Sequence, residues 1–160
     1  MRILGLDPSS KCTGVAVVDG PPDKPRLVTG ERLTASAALP YIDRVIEMMR
    51  CLTTLIASYQ PSLVVIEMPG GKRNWGMKKV NMASLSIYGV AAGALWATCR
   101  NLHIPTKAVT VNAATRSLPK PKRQAQVRAV FKNYRAADDP GYDVADAAYL
   151  ALTELRRSKP

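Results

Sequence analysis

The sequence predicts a single α/β domain built on a mixed β-sheet. Three short apolar runs come first, an amphipathic helix follows, and strands then alternate with helices to the end of the chain. With 160 residues, 47% of them hydrophobic, the chain can bury one sizeable core, and we assign residues 1–160 to one domain. This order of elements predicts three antiparallel strands and then two parallel ones, flanked by helices.

The first half of the chain supplies four of the five predicted strands. The runs 2–7, 13–19 and 26–33 are separated by "PSSKC" and "DGPPDKP", which are turn sequences, and they predict an antiparallel meander. Residues 39–59 predict an amphipathic helix, whose apolar face holds Ile42, Val45, Ile46, Met49, Leu52 and Ile56. The apolar run "LVVIE" (63–67) predicts a strand buried on both faces.

The second half begins with an uncharged stretch, residues 80–99, that is long enough to cross a bilayer. Its many Ala, Gly and Ser residues make it too weakly apolar for insertion, so we predict a buried helix that ends near residue 102. Three further elements follow: a strand over 106–111, a basic helix over 123–134 and a last helix over 143–157.

The N-terminus and the cysteines predict an intracellular protein. The apolar run before Asp7 is too short for a secretory signal. The three cysteines, Cys12, Cys51 and Cys99, lie far apart in no paired spacing, which suggests neither a disulfide framework nor a zinc site. We therefore expect a cytoplasmic location in a reducing compartment, and no membrane partner.

Positive charge is concentrated in one part of the chain. Lys and Arg number 23 against 12 Asp and Glu, and residues 68–137 hold thirteen of the basic residues and no acid. A solvated face normally mixes both signs of charge, so this segment predicts a surface for a polyanion, and we favour nucleic acid. A soluble basic protein without such a partner is the alternative.

Four of the acids occupy positions that can bring their carboxylates together. Asp7 and Glu67 each end a predicted buried strand, and they converge if the two strands are parallel neighbours. Asp143 and Asp146 lie one helical turn apart on one face. Clustered carboxylates are unfavourable unless a cation shares the site, and Mg²⁺ and Mn²⁺ prefer carboxylate oxygens. The alternative is that Glu67 is a surface residue and Asp143 a favourable charge at a helix start.

An acidic site framed by a basic surface suits a metal-dependent nuclease. Two divalent ions roughly 3.5–4 Å apart can clamp the attacking and the leaving oxygen of a phosphodiester.

The segments that carry these acids resemble a known family. "ILGLDPSSKCTGVAVVD" looks like the opening of RuvC-type Holliday junction resolvases of the ribonuclease H-like fold. "PSLVVIE" resembles their second acidic strand, "DVADAAYLAL" is similar to their closing helix, and the similarity runs from Arg2 to about Leu155. The resemblance implies a ribonuclease H-like mixed five-stranded sheet. It also implies catalytic residues that bind two Mg²⁺ ions per site, for which Mn²⁺ can substitute: Asp7, Glu67, Asp143 and Asp146.

The resemblance further implies a function and its partners. A metal-activated water would hydrolyse phosphodiesters, and paired symmetric nicks would resolve four-way DNA junctions. Two such nicks imply a homodimer, packed partly through the uncharged helix with its stripe of small and apolar residues, such as Ala83, Ile87 and Val90. The short chain and its departures from the family pattern fit a phage-encoded or divergent member that acts at the nucleoid. No helicase partner can be named.

The departures concern the DNA-binding residues. Met68 and Pro69 stand where the family often has an aromatic residue, and the first aromatic is Trp75. Its indole is a candidate to stack on an unpaired base, or alternatively to cap the edge of the core. The basic residues around it are predicted to meet phosphates: Lys72, Arg73, Lys78 and Lys79.

A second group of basic residues lies further along the chain. Gln124 stands where the family's basic helix has a lysine, so we assign phosphate binding to neighbouring cations: Lys120, Lys122 and Arg123. Arg116 is a candidate to hold the scissile phosphate.

Two rival functions stay open at this stage. The first is another ribonuclease H-like nuclease that acts on structured RNA or branched DNA, since metal ions act on any phosphodiester. The second is a nucleic-acid-binding protein without catalysis.

Overall fold

A five-stranded mixed sheet forms the centre of the protein. The computed structural model describes residues 1–9, 11–69, 82–110 and 118–158. Its strands are β1 (Ile3–Pro8), β2 (Cys12–Asp19), β3 (Arg26–Thr34), β4 (Leu63–Met68) and β5 (Thr106–Thr110), in the spatial order β3-β2-β1-β4-β5. β2 is antiparallel to both β1 and β3, whereas β4 is parallel to β1 and β5 to β4. The predicted sheet of three antiparallel and two parallel strands is confirmed.

Helices cover both faces of this sheet. They are α1 (Tyr41–Tyr59), α2 (Met82–Asn101), α3 (Lys120–Val130) and α4 (Asp143–Arg157). Because side chains alternate along a strand, Ile3 packs with α3 and α4 in one core, while Leu4 and Leu6 pack with α1 and α2 in the other. On β4, Val65 and Val64 divide in the same way. The prediction that β4 is buried on both faces is confirmed.

Two predictions about the helices are wrong in part. The basic helix lies at 120–130 and not at 123–134. Pro121 sits in its first turn, where a backbone N–H has no partner to lose, and Phe131 is already extended. On α1, Ile42 and Ile46 are 55% and 39% exposed, although the apolar pattern predicted that both would be buried.

The helix predicted within residues 80–99 does pack against the sheet in its later turns. Ala91, Leu95 and Cys99 of α2 are fully buried in the core with α1. Within the described ranges, no helix combines the length and the hydropathy that a membrane span requires.

Candidate active site

Asp7 and Glu67 lie side by side at the carboxyl edge of the sheet. The parallel pairing of β1 and β4 runs through Leu6 and Ile66, and the two acids are the next residues on these strands. The predicted convergence of the two strand ends is therefore confirmed. In α/β sheets, ligands commonly bind at the carboxyl ends of the parallel strands.

Both carboxylates carry an unfavourable electrostatic environment. Burial raises the pKa of Asp7 well above its ordinary value, and the charges of Glu67, Asp146 and Asp143 raise it further, against the opposing effect of Lys120. Burial also raises the pKa of Glu67, as does Asp146, although Arg123 and Lys120 act in the other direction. Ionisation of both carboxylates is therefore unfavourable at this edge unless further positive charge is brought to them.

Two glycines let α4 approach the sheet closely enough to bring the other two acids to this edge. A Cβ on Gly14 would overlap the backbone of Asp143, and a Cβ on Gly5 would overlap the carbonyl oxygen of Ala147. Since neither position has a side chain, the first turns of α4 rest directly on β1 and β2. α4 begins at Asp143, as the sequence predicted, and it places Asp143 and Asp146 near Asp7.

Asp139 stabilises the start of α4, although no pattern within "ADDPGY" distinguishes it from its neighbours. Its buried carboxylate accepts hydrogen bonds from the backbone N–H groups of Val144 at 3.1 Å and Ala145 at 2.9 Å. The hydroxyl of Tyr134 donates to the same carboxylate at 2.8 Å and accepts from the Gln124 amide at 2.9 Å. Asp139 thus satisfies free N–H groups at the helix start and adds the negative charge that the helix dipole favours there.

Asp146 is engaged by two cations from α3. Arg123 donates to both of its oxygens, at 2.7 and 2.9 Å, and the Lys120 ammonium lies 3.1 Å from Oδ2. Burial alone lowers the pKa of each of these cations, but the charge and hydrogen bonds of Asp146 outweigh it, so both pKa values are raised. Both cations therefore stay protonated beside the carboxylate.

Asp143 is engaged by residues of β2 and β3. Arg32 Nε lies 2.9 Å from Asp143 Oδ2, and the Cys12 thiol donates to the same oxygen at 3.2 Å. Burial raises the pKa of the Cys12 thiol, which keeps it protonated as a donor. Arg32 reaches Asp143 because the β2–β3 register pairs it with Gly14, the residue on which Asp143 rests. No pattern in the sequence marks Arg32 or Cys12, since their role depends on this register.

Four carboxylates suit a hard divalent cation, but two of them, Asp143 and Asp146, form ion pairs with arginines of the protein. Carboxylate oxygens are the preferred ligands of Mg²⁺. The pKa values of Asp7 and Glu67 are raised, and a bound cation would lower the cost of ionising both residues. Among the described residues, no three His, Cys, Asp or Glu side chains converge as a metal site. In the pairs Arg123–Asp146 and Arg32–Asp143, each carboxylate contacts a cation of the protein itself.

The basic candidates divide between this site and segments outside the described residues. Lys120 and Arg123 lie at Asp146, whereas Lys122 is exposed on α3. The other candidates fall outside the described residues: Lys72, Arg73, Trp75, Lys78, Lys79 and Arg116.

The chain is similar in sequence to known proteins. A model of the family described as "Crossover junction endodeoxyribonuclease RuvC" matches residues 3–154. The RuvC of Alkalilimnicola ehrlichii is 31% identical over 160 residues, which cover 98% of this chain and 92% of that protein. A RuvC of Neisseria meningitidis is 27% identical, covering 99% of this chain and 86% of its own length.

Solved structures share the fold. T. thermophilus RuvC in complex with a Holliday junction substrate superposes with a TM-score of 0.77 at 24% identity, covering 99% of this chain and 94% of that one. The yeast mitochondrial Holliday junction resolvase Ydc2 superposes with a TM-score of 0.63 at 15% identity, covering 97% and 79%. The family match over nearly the whole chain, together with the relative above 30% identity, establishes that the chain belongs to the family of crossover junction endodeoxyribonucleases RuvC.

Proposed function

We propose that this protein is a homodimeric endonuclease that resolves four-way DNA junctions by paired symmetric hydrolysis, with two Mg²⁺ ions at each site. The observation that carries the proposal is the convergence of Asp7 and Glu67 at the carboxyl edge of the sheet, with α4 bringing Asp143 and Asp146 beside them. Membership of the RuvC family names the reaction class, and the acids supply the groups that such chemistry needs.

The four acids are the residues that would hold the metal ions. Bound divalent ions supply Lewis-acid activation of a water molecule and neutralise the charge that develops on the phosphate. The positions of Asp7 and Glu67 favour their use as ligands, because burial and the neighbouring acids raise both pKa values and a bound cation would favour the charged carboxylates. Mn²⁺, which also accepts carboxylate ligands, is expected to substitute for Mg²⁺.

Lys120 and Arg123 of α3 both contact Asp146, and we assign them different roles. Arg123 and Lys120 make three contacts with the two oxygens of Asp146, which leaves about one acceptor position of the carboxylate for a metal ion unless a cation moves away. Lys120 is half-exposed, whereas Arg123 is buried, so Lys120 is free to turn toward a phosphate while Arg123 keeps the carboxylate oriented. We therefore assign Lys120 to the substrate phosphate and Arg123 to the positioning of Asp146.

The remaining basic candidates are assigned to junction DNA. Lys122 is exposed on the outer side of α3, in keeping with contact to a phosphate. The candidates on the segments outside the described residues keep the roles that the sequence predicted: Lys72, Arg73, Lys78 and Lys79 at phosphates, Trp75 at an unpaired base, and Arg116 at the scissile phosphate.

A twofold dimer fits the exposed apolar surface on the α1–α2 side of the sheet. Val90 of α2 is 47% exposed, and Ile42 and Ile46 of α1 are also exposed. Two symmetric nicks require two sites related by a twofold axis, and a shared apolar face provides such a contact. Light-scattering mass measurements test this: Val90→Glu should shift the protein to a monomer. The matched variant Val28→Glu, at a valine exposed on β3, should leave the mass unchanged.

One observation favours a second candidate, a nucleic-acid-binding protein without catalysis. Arg123 and Lys120 already neutralise Asp146, and Arg32 neutralises Asp143, so a metal ion is not needed to compensate these two charges. In this alternative the basic surface binds nucleic acid and the acids serve only to hold α3 and α4 in place.

A cleavage experiment separates the two candidates. The protein is incubated with a mobile four-way junction, a linear duplex and a structured RNA, each with Mg²⁺ and with chelator. We expect Mg²⁺-dependent cleavage of the junction in paired symmetric nicks. Binding without cleavage of any substrate would favour the second candidate, and preferred cleavage of the RNA would reassign the substrate.

Substitution of one acid completes the test. Asp146→Asn should abolish cleavage while junction binding survives, and Asp23→Asn, at an exposed acid outside the site, should cleave at the wild-type rate. A variant Asp146→Asn that cuts at the normal rate would remove Asp146 from the site.

A further inference from the structure

Three cations without a role in the proposed active site surround an open groove at the C-terminal end of α3. Arg128 belongs to α3, while Lys132 and Arg135 lie on the segment that follows it, and all three side chains are exposed. The groove also contains Tyr134 and two alanines, and it has no acidic residue. Three like charges around one open surface create a positive potential that attracts a negatively charged partner.

Among the described residues, these cations belong to the basic residues that form no ion pair with an acid. Arg2, Arg50 and Lys107 each form an ion pair with an acid. Within the described ranges, no ion pair joins Arg128, Lys132 or Arg135 to a carboxylate. Their charges are therefore available to a ligand.

The groove shares two lining residues with a second groove that lies beside the candidate active site. Tyr134 and Arg135 also line an adjoining groove that reaches Arg32, the residue that holds Asp143. Glu31 and Asp138 line that adjoining groove as well, so the positive charge is weaker there than around Arg128. The axis of α3 also connects the two regions. Arg128 is eight residues after Lys120 on this helix, which places it about 12 Å further along the axis.

The shape of the groove favours an extended polyanion over a small one. A small anion needs donors that converge on one point, whereas these side chains are exposed around an open surface. Duplex nucleic acid carries one negative charge per about 1.7 Å of its axis, so several phosphates face any stretch of surface this long. The distance of about 12 Å from Lys120 corresponds to about three to four base pairs.

We infer that the groove of Arg128, Lys132 and Arg135 binds the phosphate backbone of a duplex arm of the substrate, beyond the point of cleavage. This inference rests on the proposed function for the position of the cleavage point, and it assigns the three residues to binding and not to catalysis. Such backbone contacts add affinity and orientation without reading sequence.

Binding measurements with junctions of two arm lengths test the inference. The probes are four-way junctions whose arms are closed by hairpin loops and are either about fifteen or about three base pairs long, so that only the longer arms extend past the groove. The test variant is Arg128→Gln with Lys132→Gln. The matched control removes two charges that line neither groove, by Arg100→Gln with Arg156→Gln. Chelator is present throughout, so that cleavage does not interfere.

For the long-armed junction we expect the test variant to bind roughly tenfold more weakly than the wild type, with a slope of log affinity on log salt reduced by about two. Arg135→Gln alone should reduce the slope by about one. The control variant should bind within about twofold of the wild type, and the short-armed junction should bind all proteins equally.

Equal losses in the test and the control variant would overturn the inference, because they would reflect net charge alone. A loss that persists on short arms would also overturn it, since it would place the contact at the junction centre. Absence of cleavage in a separate Mg²⁺ assay would overturn the proposed function, whereas the arm-length dependence would still assign the groove to a duplex.

Discussion

Arg123 donates two hydrogen bonds to Asp146, from Nε to Oδ1 at 2.7 Å and from Nη2 to Oδ2 at 2.9 Å. Both side chains are buried, at 9% and 5% exposure. A buried bidentate pair is stable only while both partners are present, since removal of one leaves an uncompensated charge. The contact between α3 and α4 therefore depends on the carboxylate that we propose as a metal ligand.

Arg123→Gln should destabilise the metal-free protein by about 3 kcal/mol, at the lower end of the range for a broken buried pair because Lys120 still neutralises Asp146 in part. For a chain of this size, the loss corresponds to a Tm lower by roughly 6–12 °C. Mg²⁺ should restore more stability to the variant than it adds to the wild type, because Asp146 is then free to bind the ion. Thermal unfolding with chelator and with Mg²⁺ measures both effects.

The control for this prediction is Arg128→Gln, an exposed position on the same helix, which should change stability by less than about 0.5 kcal/mol. If Arg123→Gln and Arg128→Gln unfold at the same temperature, the Arg123–Asp146 pair does not hold the two helices together.

The raised pKa of Asp7 predicts that the metal-free protein loses stability as the pH rises. An aspartate in an unfolded chain has a pKa of about 3.9. In the folded protein, burial and the charge of Glu67 hold the pKa of Asp7 well above that value. The folded state therefore binds this proton more tightly. The resulting stability is complete below the unfolded pKa and is lost as the pH rises through the folded pKa.

Asp7→Asn removes this loss, because an amide does not ionise. In chelator, we expect the variant to be more stable than the wild type at pH 8, with a difference that shrinks toward pH 4. Urea unfolding across that range measures the difference. Asp23→Asn, at an exposed loop acid, should follow the wild-type curve, and a wild-type advantage at pH 8 would contradict the prediction for Asp7.

Asp139→Ala should cost about 2 kcal/mol, because it removes the acceptor for two backbone N–H groups at the start of α4 and leaves the Tyr134 hydroxyl without its carboxylate. This corresponds to a Tm lower by roughly 4–8 °C. Asp138→Ala, at the exposed neighbouring acid, is the control and should stay within about 0.5 kcal/mol of the wild type. Equal Tm values for the two variants would mean that Asp139 does not stabilise the helix start.

The strand ends and the last helix could be predicted because they depend on local patterns. The apolar runs that end on Asp7 and Glu67 indicated buried strands, and a parallel pairing of the two is enough to bring the acids together. The start of α4 at Asp143 followed from the break at "ADDPGY". These features depend on hydrophobic periodicity and turn residues, which a single sequence displays directly.

The partners of the acids could not be predicted, since they depend on how distant elements meet. Arg32 reaches Asp143 only through the β2–β3 register, and Asp139 reaches the helix start only through the fold of its turn. The exposure of Ile42 and Ile46 has the same origin, because periodicity shows which residues share a face but not how far a neighbouring element extends over it.

The contact between Gly5 and α4 predicts the most severe effect of a small substitution. In Gly5→Ala the new methyl group would overlap the carbonyl oxygen of Ala147, a backbone atom that cannot move without shifting the helix. We expect a loss of about 3 kcal/mol, as for an overpacked core. Gly93→Ala is the matched control: its methyl group meets no atom within 4 Å, and alanine should stabilise α2 by up to about 1 kcal/mol.

Because α4 carries Asp143 and Asp146, a displacement of about 1 Å should also lower the cleavage rate of the folded Gly5→Ala protein on the order of a hundredfold. Unfolding curves and single-turnover cleavage measure the two effects, and a Gly5→Ala protein with wild-type stability and rate would show that α4 does not need this close approach.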